Sequence, residues 1–242
     1  MIINNLHVKK SDRKILNGIN LSIESGIHVL MGPNGCGKTT LGYAITGHQD
    51  CEVLDGEILY KDENILSKEI HERSIAGIYL APQYPPVIEG LSPASLLKTA
   101  MNIRLESQGK EALDEFDFLK KLRQAANDFG FDSKTYLRNS LNNGFSGGEK
   151  KRNEMLQISL LNPDFVILDE IDSGLDIEAM HKFSTIIKEM GKAKTILLVT
   201  HYPSFAQLVN ANHVHIMKNG QIVSSGDISL AQEVEANGFT NF

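Results

Sequence analysis

The chain has 242 residues, 41% hydrophobic and 22% charged, so it can bury a substantial core and its composition does not indicate disorder. Its 24 basic and 30 acidic side chains give a net charge of −6, which argues against nucleic acid as a partner. The two cysteines, Cys36 and Cys51, cannot form a disulfide framework, which predicts a reducing, cytoplasmic setting. The polar start does not resemble a signal peptide, and no apolar run reaches the roughly 18 to 20 residues of a bilayer span, so we expect no direct membrane insertion.

The first residues are predicted to form mainly strands. Alternating apolar and polar side chains predict strands at Ile2–Val8 and Ile15–Ile23, joined by a polar turn at Lys10–Lys14. A buried strand is predicted at Gly26–Met31, directly before a glycine-rich turn. The spacing of apolar residues then predicts a helix at residues 39–47. After an acidic turn, a further short strand is expected, at Gly56–Tyr60.

Helical patterns dominate the middle of the chain. A serine followed by a proline starts a predicted helix at residues 92–104. Charged residues with apolar ones three apart predict an exposed amphipathic helix at 110–129. A third helix is predicted at 148–161. We therefore expect residues 84–158 to form an inserted helical subdomain.

Strand patterns return in the last part of the chain. Strands are predicted at Phe165–Leu168 and Thr195–Thr200, with a helix at 176–190 between them, and such a unit favours a parallel sheet. Asn219-Gly220 between two apolar runs predicts a hairpin. Outside the insert, one α/β core is expected from residues 1–83 and 159–242.

One glycine-rich segment fits the phosphate-binding pattern G-x-x-x-x-G-K-[ST] at every fixed position. Glycines let backbone N–H groups turn inward around a phosphate, and the helix that follows directs its positive end to the same point. Lys38 supplies charge for the outer phosphates, and Thr39 supplies a hydroxyl for Mg²⁺. A turn that merely joins strand to helix is the alternative, but the flanking pattern favours nucleotide binding. The predicted ATP-binding residues are Gly32, Pro33, Asn34, Gly35, Cys36, Gly37, Lys38, Thr39 and Thr40.

Cys36 within this segment has two interpretations. Thiols at helix N-termini can have a lowered pKa, which would make Cys36 a redox switch. The alternative is a small residue that fills a position where serine would also fit. We favour this second interpretation.

Two carboxylates follow the apolar strand that is predicted near residue 168. Ligands of open α/β sheets bind at the carboxyl ends of parallel strands, where Asp169 and Glu170 would lie. Asp169 is placed to hold Mg²⁺, directly or through water, and Glu170 to polarise the water that attacks the γ-phosphate. The alternative is a polar strand end that faces solvent. The phosphate-binding segment elsewhere in the chain favours the catalytic interpretation.

Ser146-Gly147-Gly148 precedes the third predicted helix. The triplet resembles the signature motif of the ABC ATPase superfamily, although Ser-Gly-Gly-Glu would also form an ordinary helix cap. The resemblance implies an α/β fold, in which a P-loop NTPase core has a mixed sheet flanked by helices, an N-terminal antiparallel β region and an inserted α-helical subdomain. It also implies that the triplet covers the γ-phosphate held by a second chain, in an ATP-dependent head-to-tail homodimer.

The same resemblance assigns further residues. Gln83 matches a glutamine that senses Mg²⁺, Asp176 ends a loop that crosses the dimer interface, and His201 matches a switch histidine that contacts the γ-phosphate. The implied cofactors are ATP and Mg²⁺, with metal ligands Thr39, Gln83 and Asp169 and with Glu170 and His201 as catalytic residues. Many family members place an aromatic residue near Lys10 to stack on adenine. Residues 9–14 contain none, which predicts a weak preference for ATP over GTP.

The residues in and around two motifs narrow the resemblance to one group within the superfamily. Asn143–Asn153 has Phe and Glu where transporter subunits usually have Leu and Gln, and Asp169–Asp176 has Ile-Asp where they usually have Pro-Thr. These segments resemble the ATPases of the SUF iron–sulfur cluster assembly machinery. The resemblance implies SufB- and SufD-like scaffold proteins as partners. Two cysteines cannot supply the four thiolates of a cluster, so any cluster would belong to those partners.

Alternatives remain for the partner and its binding surface. Pro85–Leu91 carries apolar side chains where an ABC partner docks, although local packing within the insert would also explain them. The same ATPase could serve a membrane transporter as its nucleotide-binding subunit. An ABC-type regulator or DNA-maintenance protein is disfavoured by the net charge and by the lack of a long coiled-coil insert.

Overall fold

The computed structural model describes residues 1–242, apart from the side chain of Arg138. The chain divides into an α/β unit and a smaller, mainly helical unit. The predicted end of the helical insert at residue 158 falls inside a helix, Gly147–Leu161. The α/β unit contains Met1–Ser74, Ile78–Gln83 and Asp164–Phe242, and the helical unit contains Ile75–Gly77 and Tyr84–Pro163.

A six-stranded sheet forms the centre of the α/β unit, in the order β10-β9-β3-β8-β7-β6. Its strands are parallel except for β10, which pairs antiparallel with β9 at the edge and completes the predicted hairpin. Every residue of β3 and β7 is buried, which explains why their residues are apolar apart from His28 and Asp169. The strands are β3 (Gly26–Met31), β6 (Ile78–Ala81), β7 (Phe165–Asp169), β8 (Thr195–Val199), β9 (His213–Lys218) and β10 (Gln221–Gly226).

A second sheet is antiparallel, in the order β2-β1-β4-β5. Its strands are β1 (Ile2–Lys10), β2 (Arg13–Ser22), β4 (Glu52–Tyr60) and β5 (Glu63–Asn64). The turn predicted at Lys10–Lys14 is shorter, because Lys10 pairs with Arg13 across the strands. The strand predicted to start at Gly56 begins at Glu52 instead. Gly56 allows this, since its φ of 98° accommodates an irregularity that keeps the preceding residues paired with β1.

The helices of the α/β unit include α1, which directly follows the glycine-rich segment. The buried guanidinium of Arg73 stabilises the C-terminal end of α1 by donating to the carbonyls of Ala44 at 2.8 Å and Ile45 at 3.1 Å. A cation at this end also complements the helix dipole. These helices are α1 (Lys38–Thr46), α2 (Ile70–Ile75), α7 (Ile177–Gly191), α8 (Pro203–Leu208) and α9 (Ser229–Asn237).

The helical unit contains α3 (Pro93–Ser107), α4 (Glu115–Asp128), α5 (Ser133–Arg138) and α6 (Gly147–Leu161). Its core is built from Leu97, Met101, Phe118, Leu122, Tyr136 and Leu156. The helix predicted from residue 110 begins only at Glu115. Asp114 caps it, accepting from the N–H of Asp117 at 2.8 Å, while Asn102 holds Leu113 outside the helix. None of the helices in the described part of the chain combines the length and apolar character of a membrane span.

Candidate functional site

Neighbouring parallel strands bring most predicted site residues to one edge of the six-stranded sheet. The glycine-rich segment follows β3, Asp169 and Glu170 stand at the end of β7, and His201 follows β8. Ligands of α/β sheets bind at such carboxyl ends. A cleft of about 470 Å³ opens there in the α/β unit, lined by Lys10, Ile15, Asn34, Gly35, Gly37, Lys38, Thr39, Thr40, Gln83, Glu170 and His201.

The glycine-rich segment needs its glycines for backbone geometry. A Cβ on Gly32 would lie 2.1 Å from the carbonyl oxygen of Met217, and Gly37 has a φ of 115°. The Lys38 ammonium donates to the carbonyls of Gly32 at 2.9 Å and Pro33 at 3.1 Å. These carbonyls are neutral, so the buried ammonium keeps a positive charge that can bind an anion in the cleft.

Cys36 is buried beside this lysine. Burial raises the pKa of its thiol, so the thiol stays protonated at neutral pH. A protonated, buried thiol is a poor redox switch, which supports the interpretation of Cys36 as a small packing residue.

Both carboxylate oxygens of Glu170 are engaged by residues from other strand ends. Nε2 of His201 lies 2.6 Å from one oxygen, and the side-chain amide of Gln83 donates to the other. Glu170 has a φ of 50°, an uncommon conformation for a side chain of this kind. Strained backbone of this kind is often found at functional sites, and here it aims a carboxylate into the cleft.

Asp169 has the environment that a divalent cation requires. Its Oδ1 is buried and has no hydrogen-bond partner among the described residues, while the Thr39 side chain hydrogen-bonds to the carboxyl group. Burial raises the pKa of Asp169 to about 6, and a bound cation would lower it again because it stabilises the ionised carboxylate. A buried carboxylate oxygen next to a hydroxyl fits Mg²⁺, which takes one or two carboxylates and obtains its other ligands from phosphate and water.

A second contact across strand ends was not predicted from the sequence. The buried hydroxyl of Thr200 donates to the buried carboxylate of Asp172, and the same hydroxyl accepts from the N–H of Tyr202 at 2.9 Å. These bonds fix the segment after Glu170 to the end of β8. Asp176 stands further along, where it caps α7 by accepting from the N–H of Ala179 at 2.7 Å.

The Ser-Gly-Gly triplet lies in the helical unit, unlike the other predicted site residues. Ser146 forms a capping box with Glu149, in which each side chain accepts from the other residue's backbone N–H. A Cβ on Gly147 or Gly148 would meet nothing within 4 Å in the described part of the chain. Packing inside the chain therefore does not require these glycines, and they leave the start of α6 open to close approach from outside.

Two lining residues of the cleft, Lys10 and Ile15, were not predicted as site residues. Lys10 Nζ lies 5.3 Å from the ring centre of Tyr43 and 3.7 Å from a carboxylate oxygen of Asp50. Ile15 belongs to the alternating pattern of β2, so nothing in the sequence separates it from an ordinary strand residue. The lining residues from β1 and β2 include no aromatic side chain.

Comparison with known families agrees with this arrangement. The family model described as "ABC transporter" matches residues 16–173, more than half of the chain, and the chain belongs to this family. The probable ATP-dependent transporter slr0075 of Synechocystis is 44% identical over 239 residues, which cover 98% of this chain and 93% of that protein. A probable ABC transporter ATP-binding protein of Streptococcus pyogenes serotype M18 is 43% identical, with 98% and 92% covered.

Solved structures share the fold. The ATP-binding cassette MJ1267 of an ABC transporter superposes with a TM-score of 0.78 at 24% identity, covering 98% of this chain and 94% of that one. For cbiO1 from Clostridium perfringens, part of an ABC transporter complex, the TM-score is 0.72 at 25% identity, with 98% and 90% covered. The chain thus has the α/β fold of an ABC ATPase cassette, and it binds and hydrolyses ATP.

Proposed function

We propose that this ATPase is of the SufC type and drives conformational change in a cytoplasmic scaffold complex that assembles iron–sulfur clusters. The observation that carries the proposal is the identity of the residues in two motifs. These are Phe145 and Glu149 around the Ser-Gly-Gly triplet, and Ile171-Asp172 after Glu170. Asp172 is buried and hydrogen-bonded to Thr200. The residue that differs from the usual transporter sequence therefore has a structural role next to the site.

In the proposed reaction, the γ-phosphate replaces the loop carbonyls as the partner of Lys38. The segment from Gly32 to Thr40 presents its backbone N–H groups to the phosphates, as does the start of α1. Glu170 orients the attacking water and accepts its proton, while His201 and Gln83 hold Glu170 in place. His201 is also expected to contact the γ-phosphate.

The proposed Mg²⁺ ligands are Thr39, Asp169 and Gln83. When bound, the ion supplies positive charge to the β- and γ-phosphate oxygens. The orphaned Oδ1 of Asp169 supports this assignment, because its burial is costly without a partner.

The proposed working state is a head-to-tail pair of chains. Ser146, Gly147 and Gly148 of one chain would cover the nucleotide bound to the other, with Asp176 at the interface. The open surface around both glycines and the Ser146 cap at the start of α6 support this arrangement.

The proposed partners are SufB- and SufD-like scaffold proteins, which would dock on the segment from Tyr84 to Leu91. Tyr84 is 81% exposed, and Val87 and Ile88 are 44% and 42% exposed. Large apolar side chains grouped on a surface are typical of protein interaction sites. Both cysteines are free, in agreement with a reducing, cytoplasmic environment.

A second candidate is the nucleotide-binding subunit of a membrane transporter, which the names of the relatives favour. Purification of the tagged chain from its own cell, with and without ATP, distinguishes the two. The proposal predicts soluble SufB- and SufD-like proteins in the complex. Integral membrane proteins in their place would contradict it, and substituting Val87→Asp should release either partner from the docking segment.

A further inference from the structure

Within the helical unit, the exposed segment at residues 84–91 is bonded to the turn that leads into Ser146. Ile88 donates its N–H to the carbonyl of Leu141 at 3.2 Å, and Leu141 donates to Leu91 at 2.8 Å. Gly90 adds a bond to the hydroxyl of Ser140 at 3.0 Å. Ile88 and Leu141 form an antiparallel bridge, so the two segments hold each other as a short piece of sheet.

Asn142 extends this connection into the interior of the helical unit. Its side chain is 1% exposed and uses both ends of the amide. Nδ2 donates to the carbonyl of Pro86 at 2.8 Å, and Oδ1 accepts from Nδ2 of Asn153 at 2.8 Å. Asn153 in turn accepts from the hydroxyl of Tyr136 at 2.6 Å. Buried polar groups connected in this way fix one arrangement, because breaking one bond leaves others unpartnered.

The backbone of Asn142 leads directly to the Ser-Gly-Gly triplet. Its φ is 59°, a conformation that asparagine tolerates better than most residues, and its carbonyl accepts from the N–H of Phe145 at 3.3 Å. Ser146 follows at once as the cap of α6, and Asn153 lies on the same helix two turns later. The Asn142 amide therefore ties both the approach to α6 and the helix itself to Pro86.

We propose that Asn142 is a positioning residue for the Ser146–Gly148 site and makes residues 84–91 move with that site as one body. A protein that displaces the segment would thereby displace the triplet that covers the second chain's nucleotide. The inference rests on the pairing and the docking segment of the proposed function. It adds a residue that links docking to ATP hydrolysis.

The test uses Asn142→Gly, which keeps the positive φ and removes the amide. The matched control is Asn102→Ala in the same unit, where the side chain accepts from Leu113 N at 2.9 Å but has no bond to residues 84–91. Tyr136→Phe is the milder variant if Asn142→Gly does not fold, because it removes only the hydrogen bond from Tyr136 to Asn153.

The measured quantity is the ATPase rate per molecule as a function of protein concentration. In Asn142→Gly, the concentration for half-maximal rate should rise about 2- to 30-fold, while ATP affinity of single chains and the maximal rate stay unchanged. A defect that was merely structural would not be restored by raising the protein concentration. Tyr136→Phe should shift the midpoint in the same direction by a smaller factor, and Asn102→Ala should not shift it.

An unchanged midpoint in folded Asn142→Gly, or an equal shift in Asn102→Ala, overturns the role of Asn142. If Asn142→Gly is unfolded, an unchanged midpoint in Tyr136→Phe does the same. A parent chain whose rate per molecule is independent of concentration instead removes the pairing itself, and with it the proposed function and this inference.

Discussion

His201 Nε2 lies 2.6 Å from one carboxylate oxygen of Glu170, at the meeting point of two parallel strand ends. The amide of Gln83 donates to the other oxygen, so residues from two neighbouring strand ends orient the carboxylate at the end of a third. These two contacts hold the Glu170 carboxylate in one orientation. Preorganised groups contribute to catalysis because they need little rearrangement when the reaction occurs.

Replacing Glu170 by Gln should slow ATP hydrolysis about 10²- to 10⁴-fold, because the amide cannot accept the proton of the attacking water. ATP affinity should stay within about twofold, since phosphate binding rests on the glycine-rich segment and the start of α1. Single-turnover hydrolysis and equilibrium binding of labelled ATP measure the two quantities. A variant with normal hydrolysis would remove Glu170 from the role of base.

Replacing Lys38 by Ala should act on binding instead. Loss of a charged hydrogen bond of roughly 1.5 to 3 kcal/mol lowers ATP affinity about 10- to 150-fold. The exposed Lys14 provides the control, because Lys14→Ala changes net charge equally but lies outside the residues that line the cleft. Equal affinities in the two variants, measured by titration of a fluorescent ATP analogue, would contradict the assignment.

A stack of histidines makes the stability of the α/β unit depend on pH. His28 and His215 are buried, with His28 Nδ1 3.0 Å from His215 Nε2, and the ring centre of His213 lies 4.7 Å from that of His28. Burial, and then the neighbouring His215 and His213, lower the pKa of His28 to about 3. Burial lowers the pKa of His215 to about 4. Both side chains are therefore neutral in the folded protein at neutral pH.

These histidines take up protons in the unfolded chain near pH 6.5, so their stabilising contribution is complete above that pH and is lost below it. Each should cost on the order of 1 kcal/mol per pH unit between about pH 6.5 and its folded pKa. Urea unfolding of His28→Gln at several pH values should show a weaker pH dependence than the parent chain. His71→Gln, at an exposed position, should retain the parent's dependence, and identical slopes in all three proteins would refute the explanation.

The sequence predicts best where one local pattern decides the structure. The predicted strand Gly26–Met31 is confirmed, because a short, mostly apolar run before glycines has few other stable arrangements. The start of α4 was predicted too early, since Asp114 can cap a helix or lie within one, and only its bond to Asp117 shows which. The local sequence likewise predicts that Asp169 and Glu170 lie at the end of an apolar strand.

The remaining features depend on residues far apart in the chain. The contact between Thr200 and Asp172, and the one between Asn142 and Pro86, join segments whose sequences carry no mutual signal. A threonine or asparagine in isolation is most often a surface or turn residue. Only the fold brings these groups into the interior, where an unpaired polar atom is costly.

The most direct test is the mass of Glu170→Gln chains in analytical ultracentrifugation with saturating ATP and Mg²⁺. The account predicts a species of two chains that retains two ATP molecules, and a return to single chains when Ser146→Arg is added, although each chain still binds ATP. A single-chain species for Glu170→Gln at saturating ATP would contradict the paired site.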